Sequence, residues 1–227
     1  MDHAAQQAHL RMLADKHLCP VAHVEYLEAM KRAGVEPRVI YDIGSCVCHW
    51  ARHARRLWPD ARVILFDALT PAEFLYKQEG YEYHLGVLSD RDGRPVTFYE
   101  SVESPGGNSY YREDSHVSDV YYPPSSGRPM VARTLDSVIE ERGFPLPDLI
   151  KIDVQGSEVD IINGGMRAVN HARDLIVELQ HEQYNVGAPK VDVSKPYIES
   201  LGFECVASMF SNNGPDADYH FRKRDRN

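Results

Sequence analysis

The sequence predicts an α/β fold with a mostly parallel, doubly wound sheet and helices on both of its faces. From Arg38 onward, short runs rich in β-branched residues alternate with helical patterns. The runs are apolar almost throughout, as strands buried on both faces require. The 227 residues are 43% hydrophobic and 26% charged, the composition of an ordinary soluble protein, and they suffice for one large domain.

The first segment, residues 1–36, is expected to form a helical arm ahead of the main domain at residues 37–227. Pro20 should separate two helices in the arm, because proline lacks a backbone N–H and clashes with the preceding turn. Gly34 followed by Pro37 is the usual order of residues at a helix end. The arm should pack on the main domain, so that the chain forms a single domain overall.

The strands and helices of the main domain follow from their periodicity. The predicted strands are short, β-branched segments: Val39–Ile43, Arg62–Phe66, Tyr83–Val87, Leu149–Asp153, Leu175–Leu179, Phe203–Met209 and a possible last one at Tyr219–Arg222. The predicted helices carry apolar residues at helical spacing: Cys48–Leu57, Thr134–Arg142, Ser157–Val169 and Val193–Leu201.

The stretch 101–130 departs from this alternation. It is rich in glycine, proline, serine and asparagine, yet it also contains four tyrosines. Long loops inside a compact domain are usually functional or disordered. The tyrosines favour an ordered lid over a ligand site, and the alternative is a solvated insertion. No domain boundary is predicted here.

The charge and the cysteines narrow the class of protein. Lys and Arg number 25 against 34 Asp and Glu, a net charge of −9, which argues against nucleic acid as a partner. The four cysteines show no C-x-x-C pair, so free thiols in a reducing compartment are expected. The N-terminus lacks the apolar core of a signal peptide, and no run nears the ~20 apolar residues of a membrane span. A soluble, cytoplasmic protein without a membrane partner is predicted; the oligomeric state is not.

The turn after the first predicted strand is the expected ligand site. In open α/β sheets, ligands bind outside the carboxyl ends of the strands. Gly44 can leave space for a ligand there, and the next helix brings its N-terminal amides to the same point. Asp67 ends the second strand, where an acid suits hydrogen bonds to ribose hydroxyls.

The glycine content of this turn favours one nucleotide cofactor over another. A dinucleotide needs G-x-G-x-x-G for its pyrophosphate, but Ser45, Cys46, Val47 and Cys48 follow Gly44 here. S-adenosylmethionine has ribose and adenine but no phosphate, so it tolerates side chains in the loop. Two alternatives stay open: a nicotinamide-dependent oxidoreductase, and a non-catalytic nucleotide-binding module of the same fold.

Three later segments carry a family resemblance. TLDSVIEERG, DLIKIDVQGSEVDIINGG and LIVELQHEQYNVGAP resemble the FkbM family of class I methyltransferases, as do DIGSCVC and LGVLSDRDG nearer the N-terminus. The resemblance covers roughly residues 38–210. It implies a Rossmann-like class I methyltransferase fold, S-adenosylmethionine as donor with S-adenosylhomocysteine as product, and O-methylation of a sugar or polyketide-type hydroxyl.

The resemblance also implies which residues bind the donor. Asp42 and Gly44 lie on the family's donor loop, Asp67 on its ribose-binding acid and Ser89 near its adenine edge. Their neighbours Ser45, Cys46 and Ala68 are also predicted to bind the donor. Asp153 falls where the transferring methyl should lie. The sequence departs from the family pattern at Asp67 and Gln155, where glutamate is more common, and at Cys48, where glycine is.

Methylation of an alcohol should require a general base or a metal, because an alcohol is a poor nucleophile until its proton begins to leave. Asp153 and His181 are the predicted catalytic residues. Asp153 could instead cap the following helix. Residues expected to contact the acceptor lie in the long loop or near the strand ends: Asn108, Ser109, Tyr110, Gln155, Glu158 and Glu178. A divalent metal is possible but is not predicted.

The sequence therefore predicts an S-adenosylmethionine-dependent O-methyltransferase. The expected acceptor is a hydroxyl of a sugar, either as a small molecule or as part of a glycan, and the active site should lie at the carboxyl ends of the strands.

Overall fold

The computed structural model describes residues 2–116, 118–208 and 214–224. The helices in these ranges are α1 His3–Lys16, α2 Val21–Arg32, α3 His49–Leu57, α4 Glu73–Gln78, α5 Ser118–Tyr121, α6 Leu135–Arg142, α7 Glu158–Gly164, α8 Met166–His171 and α9 Val191–Ser200. The strands are β1 Val39–Ile43, β2 Arg62–Asp67, β3 Glu82–Leu85, β4 Arg94–Tyr99, β5 Gly127–Ala132, β6 Leu149–Ile152, β7 Asp174–Gln180, β8 Phe203–Ser208 and β9 Asp216–Lys223. Met209, the end of one predicted strand, lies outside the described residues.

Among the described residues, one sheet has the strand order β3-β2-β1-β6-β7-β9-β8. The pairs β1–β2, β1–β6, β2–β3 and β6–β7 are parallel, whereas β9 runs antiparallel to both β7 and β8. The chain adds β2 and then β3 on one side of β1, and it later adds β6 and β7 on the other side. The direction in which strands are added therefore changes between β1 and β6. The predicted doubly wound, mostly parallel sheet is therefore confirmed, and its switch point lies where ligands usually bind.

Apolar layers cover both faces of the sheet. Alternate residues of one strand point to opposite faces. Ile40 of β1 accordingly packs with Trp50 of α3, whereas Ile43 packs on the other face with Ile162 of α7. This arrangement explains why the central strands are apolar along their whole length.

The N-terminal helices share the core of the main sheet. Leu10 of α1 and Leu27 of α2 are fully buried, in the same cluster as Trp50. Pro20 immediately precedes α2 and separates it from α1, as predicted. The division at residue 36 stays a prediction.

The structure corrects three details. The 101–130 stretch, predicted as a loop, contains α5 and the start of β5, and β5 forms an antiparallel hairpin with the unpredicted strand β4. The predicted helix at 157–169 is broken: it divides into α7 and α8 at Gly165, where a Cβ would lie 2.8 Å from Leu135 Cδ2. Helix α4 was also not predicted.

All four cysteines are free thiols, as predicted. Of the helices that the structure describes, none combines the length and the apolar character that a bilayer crossing demands.

Candidate active site

A cavity of about 340 Å³ opens at the carboxyl ends of β1, β2 and β6. Most of its wall comes from six parts of the chain: the end of α1, the β1–α3 turn, the segment after β2, the segment after β3, the long loop, and the turn after β6. Nine of the predicted site residues line it: Gly44, Cys46, Asp67, Ala68, Asn108, Ser109, Tyr110, Asp153 and Gln155. The sheet topology thus brings together residues that are far apart in sequence.

Gly44 lets the turn after β1 pack against the turn after β6. Its φ is +85°, and a Cβ at this position would lie 1.7 Å from the backbone oxygen of Asp153. A side chain cannot be accommodated there without moving one of the two turns. The glycine is therefore required by the contact between the two turns that form the cavity floor.

The backbone amides of the β1–α3 turn are used within the protein. Gly44 N and Ser45 N donate to Phe66 O at 2.9 and 3.3 Å, and Cys48 N donates to Ser45 O at 2.8 Å. Cys46 N donates to the Asp67 carboxylate at 2.6 Å. A pyrophosphate is normally held by free amides at this turn. These four amides are already bound, so the turn is poorly suited to a dinucleotide.

Asp67 fits the hydroxyls of a nucleoside. Oδ2 accepts the bond from Cys46 N, and Oδ1 accepts another from Leu69 N at 2.8 Å. Each carboxylate oxygen can accept a second hydrogen bond, and the side chain lines the cavity. Apolar side chains lie on the same wall and offer a surface for an adenine ring: Phe66, Ala68, Val87, Leu88 and Phe98. The residues present therefore fit S-adenosylmethionine.

Three predicted donor-binding residues do not line the cavity. Asp42 is fully buried, 3.8 Å from Lys151 Nζ, and burial raises its pKa to about 6 despite the lysine. Ser45 Oγ donates to Asp42 O, and Ser89 Oγ accepts from Arg94. All three support the cavity wall from behind, and their contact with the donor stays a prediction.

Asp153 lies at the cavity wall in contact with a buried cation. Lys151 Nζ is 2.8 Å from Asp153 Oδ2. Burial alone would raise the pKa of Asp153, but attraction to Lys151 outweighs it and lowers the pKa to about 2. Burial likewise opposes the charge of Lys151, yet Asp153 and Asp42 keep its pKa above the usual value. Both groups are therefore ionised at neutral pH.

Gln155 connects Asp153 to a carboxyl behind the cavity. Its Nε2 donates to Asp153 Oδ1 at 3.2 Å and to Glu178 Oε2 at 2.6 Å. Its Oε1 lies 2.9 Å from the hydroxyl of Tyr184. Burial, together with the charge of Asp153, raises the pKa of Glu178 well above its usual range. Glu178 does not line the cavity, so it supports Gln155 from outside.

Glu158 organises the turn after β6. Its Oε1 accepts bonds from Val154 N at 3.1 Å and from Gly156 N at 3.0 Å. Burial raises its pKa to about 7, although these two N–H groups favour the charged form. The side chain does not line the cavity; it shapes the turn that carries Asp153 and Gln155.

The long loop is attached to the domain beside the cavity. Tyr110 and Tyr111 donate to Asp160 Oδ2 of α7 at 2.8 and 3.0 Å. Arg94 donates to the same oxygen at 2.9 Å. Asn108 Oδ1 accepts from Ser101 N at 2.7 Å. Two of the four tyrosines in this loop therefore attach it to the domain through one carboxylate, whereas the hydroxyl of Tyr122 bonds within the loop, to Gly107 N and Ser104 O.

Two histidines that were not predicted from the sequence line the cavity wall. His17, just after α1, and His49, the first residue of α3, both line it, with ring centroids 6.4 Å apart. Burial lowers the pKa of His49 to about 4, so the ring is neutral at physiological pH, and its Nδ1 has no hydrogen-bond partner among the described residues. The predicted base, His181, does not line the cavity; its Nε2 lies 2.8 Å from Tyr219 Oη.

Known proteins resemble this chain over most of its length. Relatives include the 2-O-methyltransferase NoeI of Sinorhizobium fredii, 29% identical over 75% of this chain and 74% of its own. The hexuronic acid methyltransferase AglP of Haloferax volcanii is 24% identical over 73% and 63%. The AMB antimetabolite synthetase AmbE of Pseudomonas aeruginosa is 24% identical over 73% of this chain, which spans only 9% of AmbE.

The family model described as the methyltransferase FkbM domain matches residues 27–205. That range runs from α2 to β8 and contains every predicted site residue. The doubly wound sheet with helices on both faces is the Rossmann-like class I methyltransferase fold that the sequence predicted. The chain belongs to the FkbM methyltransferase family.

Proposed function

We propose that the protein is an S-adenosylmethionine-dependent O-methyltransferase that acts on a hydroxyl of a sugar or glycan. The observation that carries this proposal is the cavity at the ends of β1 and β2, where Asp67 and apolar side chains line the wall and four amides of the β1–α3 turn are already bound. The names of NoeI and AglP support methyl transfer and, for AglP, a sugar acid as acceptor. They do not identify the acceptor of this chain.

The donor would be held by the apolar wall and by Asp67. S-adenosylmethionine supplies a methyl group on a sulfonium, a good leaving group for an in-line displacement. Phe66 and Phe98 provide ring surface for the base, while the carboxylate of Asp67 accepts bonds from ribose hydroxyls. The negative charge of Asp153 favours a cationic donor over its neutral product.

The acceptor would lie between the long loop and the turn after β6. Asn108, Ser109 and Tyr110 offer hydrogen-bonding groups and one aromatic face, which suit the hydroxyls and the C–H face of a sugar ring. Gln155 lines the same cavity. Glu158 and Glu178 act indirectly, since they hold the turn and the Gln155 amide in place.

The acceptor proton would pass to His49. Asp153 lines the cavity, but its low pKa makes it a weak base, so it is better suited to orient the acceptor hydroxyl through a hydrogen bond. The neutral His49 ring lines the same cavity and is the stronger base of the two, because its pKa of about 4 lies above that of Asp153. His181 stays an alternative base, although it would have to act from outside the cavity.

A donor-dependent methylation screen tests the proposal. Mono- and oligosaccharides are incubated with the protein and S-adenosylmethionine, and the products are analysed by mass spectrometry and linkage analysis. We expect one sugar to gain a methyl group on oxygen, with one equivalent of S-adenosylhomocysteine. Oxidation of NADH without methylation would favour an oxidoreductase, and donor binding without any turnover would favour a binding module.

A further inference from the structure

The charged side chains of the cavity are acidic. Asp67, Glu103 and Asp153 line it, whereas no lysine or arginine of the described chain does. The remaining titratable groups at the wall are Cys46, Tyr110 and the two histidines, of which His49 is kept neutral by burial. An anion that enters this cavity would therefore meet like charges and no fixed cation.

Two cations that contact cavity-lining residues are already paired. Lys151 is buried against Asp153 and Asp42, with its side chain only 3% exposed. Arg94, behind Tyr110, contacts Asp90 at 2.8 Å and Asp160 at 2.9 Å. Neither Lys151 nor Arg94 can turn its charged group into the cavity without breaking an ion pair that is partly or fully buried. Breaking such a pair strongly destabilises the protein.

From this charge distribution we infer that the acceptor is an uncharged sugar and that the cavity discriminates against hexuronates. The inference rests on the proposed function and narrows its acceptor class. It also separates this chain from its relative AglP, which is named for a hexuronic acid.

The physical reason is desolvation combined with like-charge repulsion. A uronate that loses water in the cavity finds no lysine or arginine to replace it, and it lies near the fixed charge of Asp153. The bound donor contributes one net positive charge, which does not balance the three acids that line the cavity. A neutral sugar carries a hydroxyl at the corresponding position, and a hydroxyl can donate to Asp153 or Glu103. The same acids that repel a carboxylate therefore bind an uncharged acceptor.

The two acids should contribute unequally. Asp153 is half-buried. Its ion pair with Lys151 weakens, but does not cancel, the electrostatic repulsion between Asp153 and an anion in the cavity. Glu103 is exposed at the rim, where salt screens its charge. A change at Glu103 should therefore shift the selectivity by a modest factor while the site itself stays intact.

The test compares matched acceptors. Methyl glycosides of hexoses and of the corresponding hexuronates are assayed with S-adenosylmethionine at low ionic strength. We expect kcat/KM to be higher for the active hexoside than for its uronate by about tenfold or more. Glu103→Lys should narrow that ratio by about threefold. Glu140→Lys, the same charge reversal at an exposed position of α6 outside the cavity, should leave the ratio unchanged.

The possible results separate the inference from the proposed function. A uronate that is turned over as well as its hexoside, or better, would overturn the inference and leave the methyltransferase proposal standing. If Glu103→Lys left the ratio of kcat/KM for the hexoside to that for its uronate unchanged, Glu103 would not contribute to acceptor selectivity, and its proposed role would be contradicted. Failure to methylate either class of glycoside would contradict the proposed sugar acceptor, and the inference with it.

Discussion

Lys151 and Asp153 form an ion pair at the end of β6, with Lys151 Nζ 2.8 Å from Asp153 Oδ2. The register of the sheet explains why the lysine is there: Lys151 pairs across the strands with Asp42 of β1, so the two side chains point to the same face. One buried cation thus serves two carboxylates, of which only Asp153 reaches the cavity. The pair fixes a negative charge at the cavity wall.

Replacement of Lys151 by methionine should strongly destabilise the fold. It would leave the fully buried Asp42 and the half-buried Asp153 without their cation, and breaking a buried ion pair typically costs about 3–5 kcal/mol. The ion pair lowers the folded-state pKa of Asp153, so its stabilisation is present above pH 3.8 and is lost as the pH falls toward 2. In the variant the buried acids disfavour ionisation, so the deficit in the free energy of unfolding should grow from acid to neutral pH.

Urea unfolding of Lys151→Met at several pH values measures this deficit. Lys77→Met is the matched control, because Lys77 forms an exposed ion pair with Glu73 within one helix and should matter little. Equal stability of the two variants at neutral pH would contradict the structural role of the buried pair.

Glu158→Gln should change how stability depends on pH. Burial raises the folded-state pKa of Glu158 from 4.5 to about 7, so the folded protein binds the extra proton between these values. The wild type should therefore lose stability relative to the glutamine variant as the pH rises from 4.5 to 7, by up to about 3 kcal/mol. Thermal and urea unfolding of both proteins across that window would show it. A difference in the free energy of unfolding that does not vary with pH would refute the assignment.

Most strands of the sheet were predictable because each is a short run of mainly apolar, often β-branched residues. β1 has the predicted bounds, since its mostly apolar residues lie between Pro37 and Gly44, which mark the two ends of the strand. The hairpin of β4 and β5 was not predictable: Val96 and Phe98 face inward between more exposed neighbours, and the partner strand, which contains Pro129, follows only after the long loop. Such a strand exists because of a distant pairing, and local periodicity does not reveal it.

The site residues that lie at the ends of parallel strands could be predicted from the sequence. Asp67 and Asp153 follow parallel strands, so both had to lie at the same edge of the sheet. Asp42 also lies near that edge, but the pleat turns its side chain inward to Lys151. His17 reaches the cavity through the packing of α1, which no local pattern shows. His49, directly after the donor loop, was the one missed residue whose position gave a usable signal.

Asp160→Ala should loosen the long loop and weaken acceptor binding. The variant removes the carboxylate that accepts from Tyr110, Tyr111 and Arg94. We expect the KM for the acceptor to rise about tenfold, given that bonds to a charged group contribute roughly 1.5–3 kcal/mol each. Affinity for S-adenosylhomocysteine should change little. Steady-state kinetics with Asp119→Ala, an exposed position in α5, provides the control. An unaltered acceptor KM would show that the tyrosines do not order the site.

His49→Gln should reduce kcat about 100-fold or more, the usual contribution of a general base. In the wild type, kcat/KM should fall only as the pH drops toward the His49 pKa of about 4, because protonation removes the base. His181→Gln tests the alternative with the same side-chain change outside the cavity. Should His181→Gln lose turnover while His49→Gln retains it, the base assignment is wrong. Binding of S-adenosylhomocysteine by both variants verifies that they are folded.

Calorimetric titration with S-adenosylhomocysteine and with NADH tests the central claim most directly, namely that the cavity beside Asp67 is an adenosyl-donor site. The wild type should bind S-adenosylhomocysteine and not NADH. Asp67→Asn and Asp67→Ala should weaken that binding about tenfold or more while remaining folded, whereas the exposed Asp60→Ala should not. Undiminished affinity in both folded Asp67 variants, or preferential binding of NADH, would contradict the account.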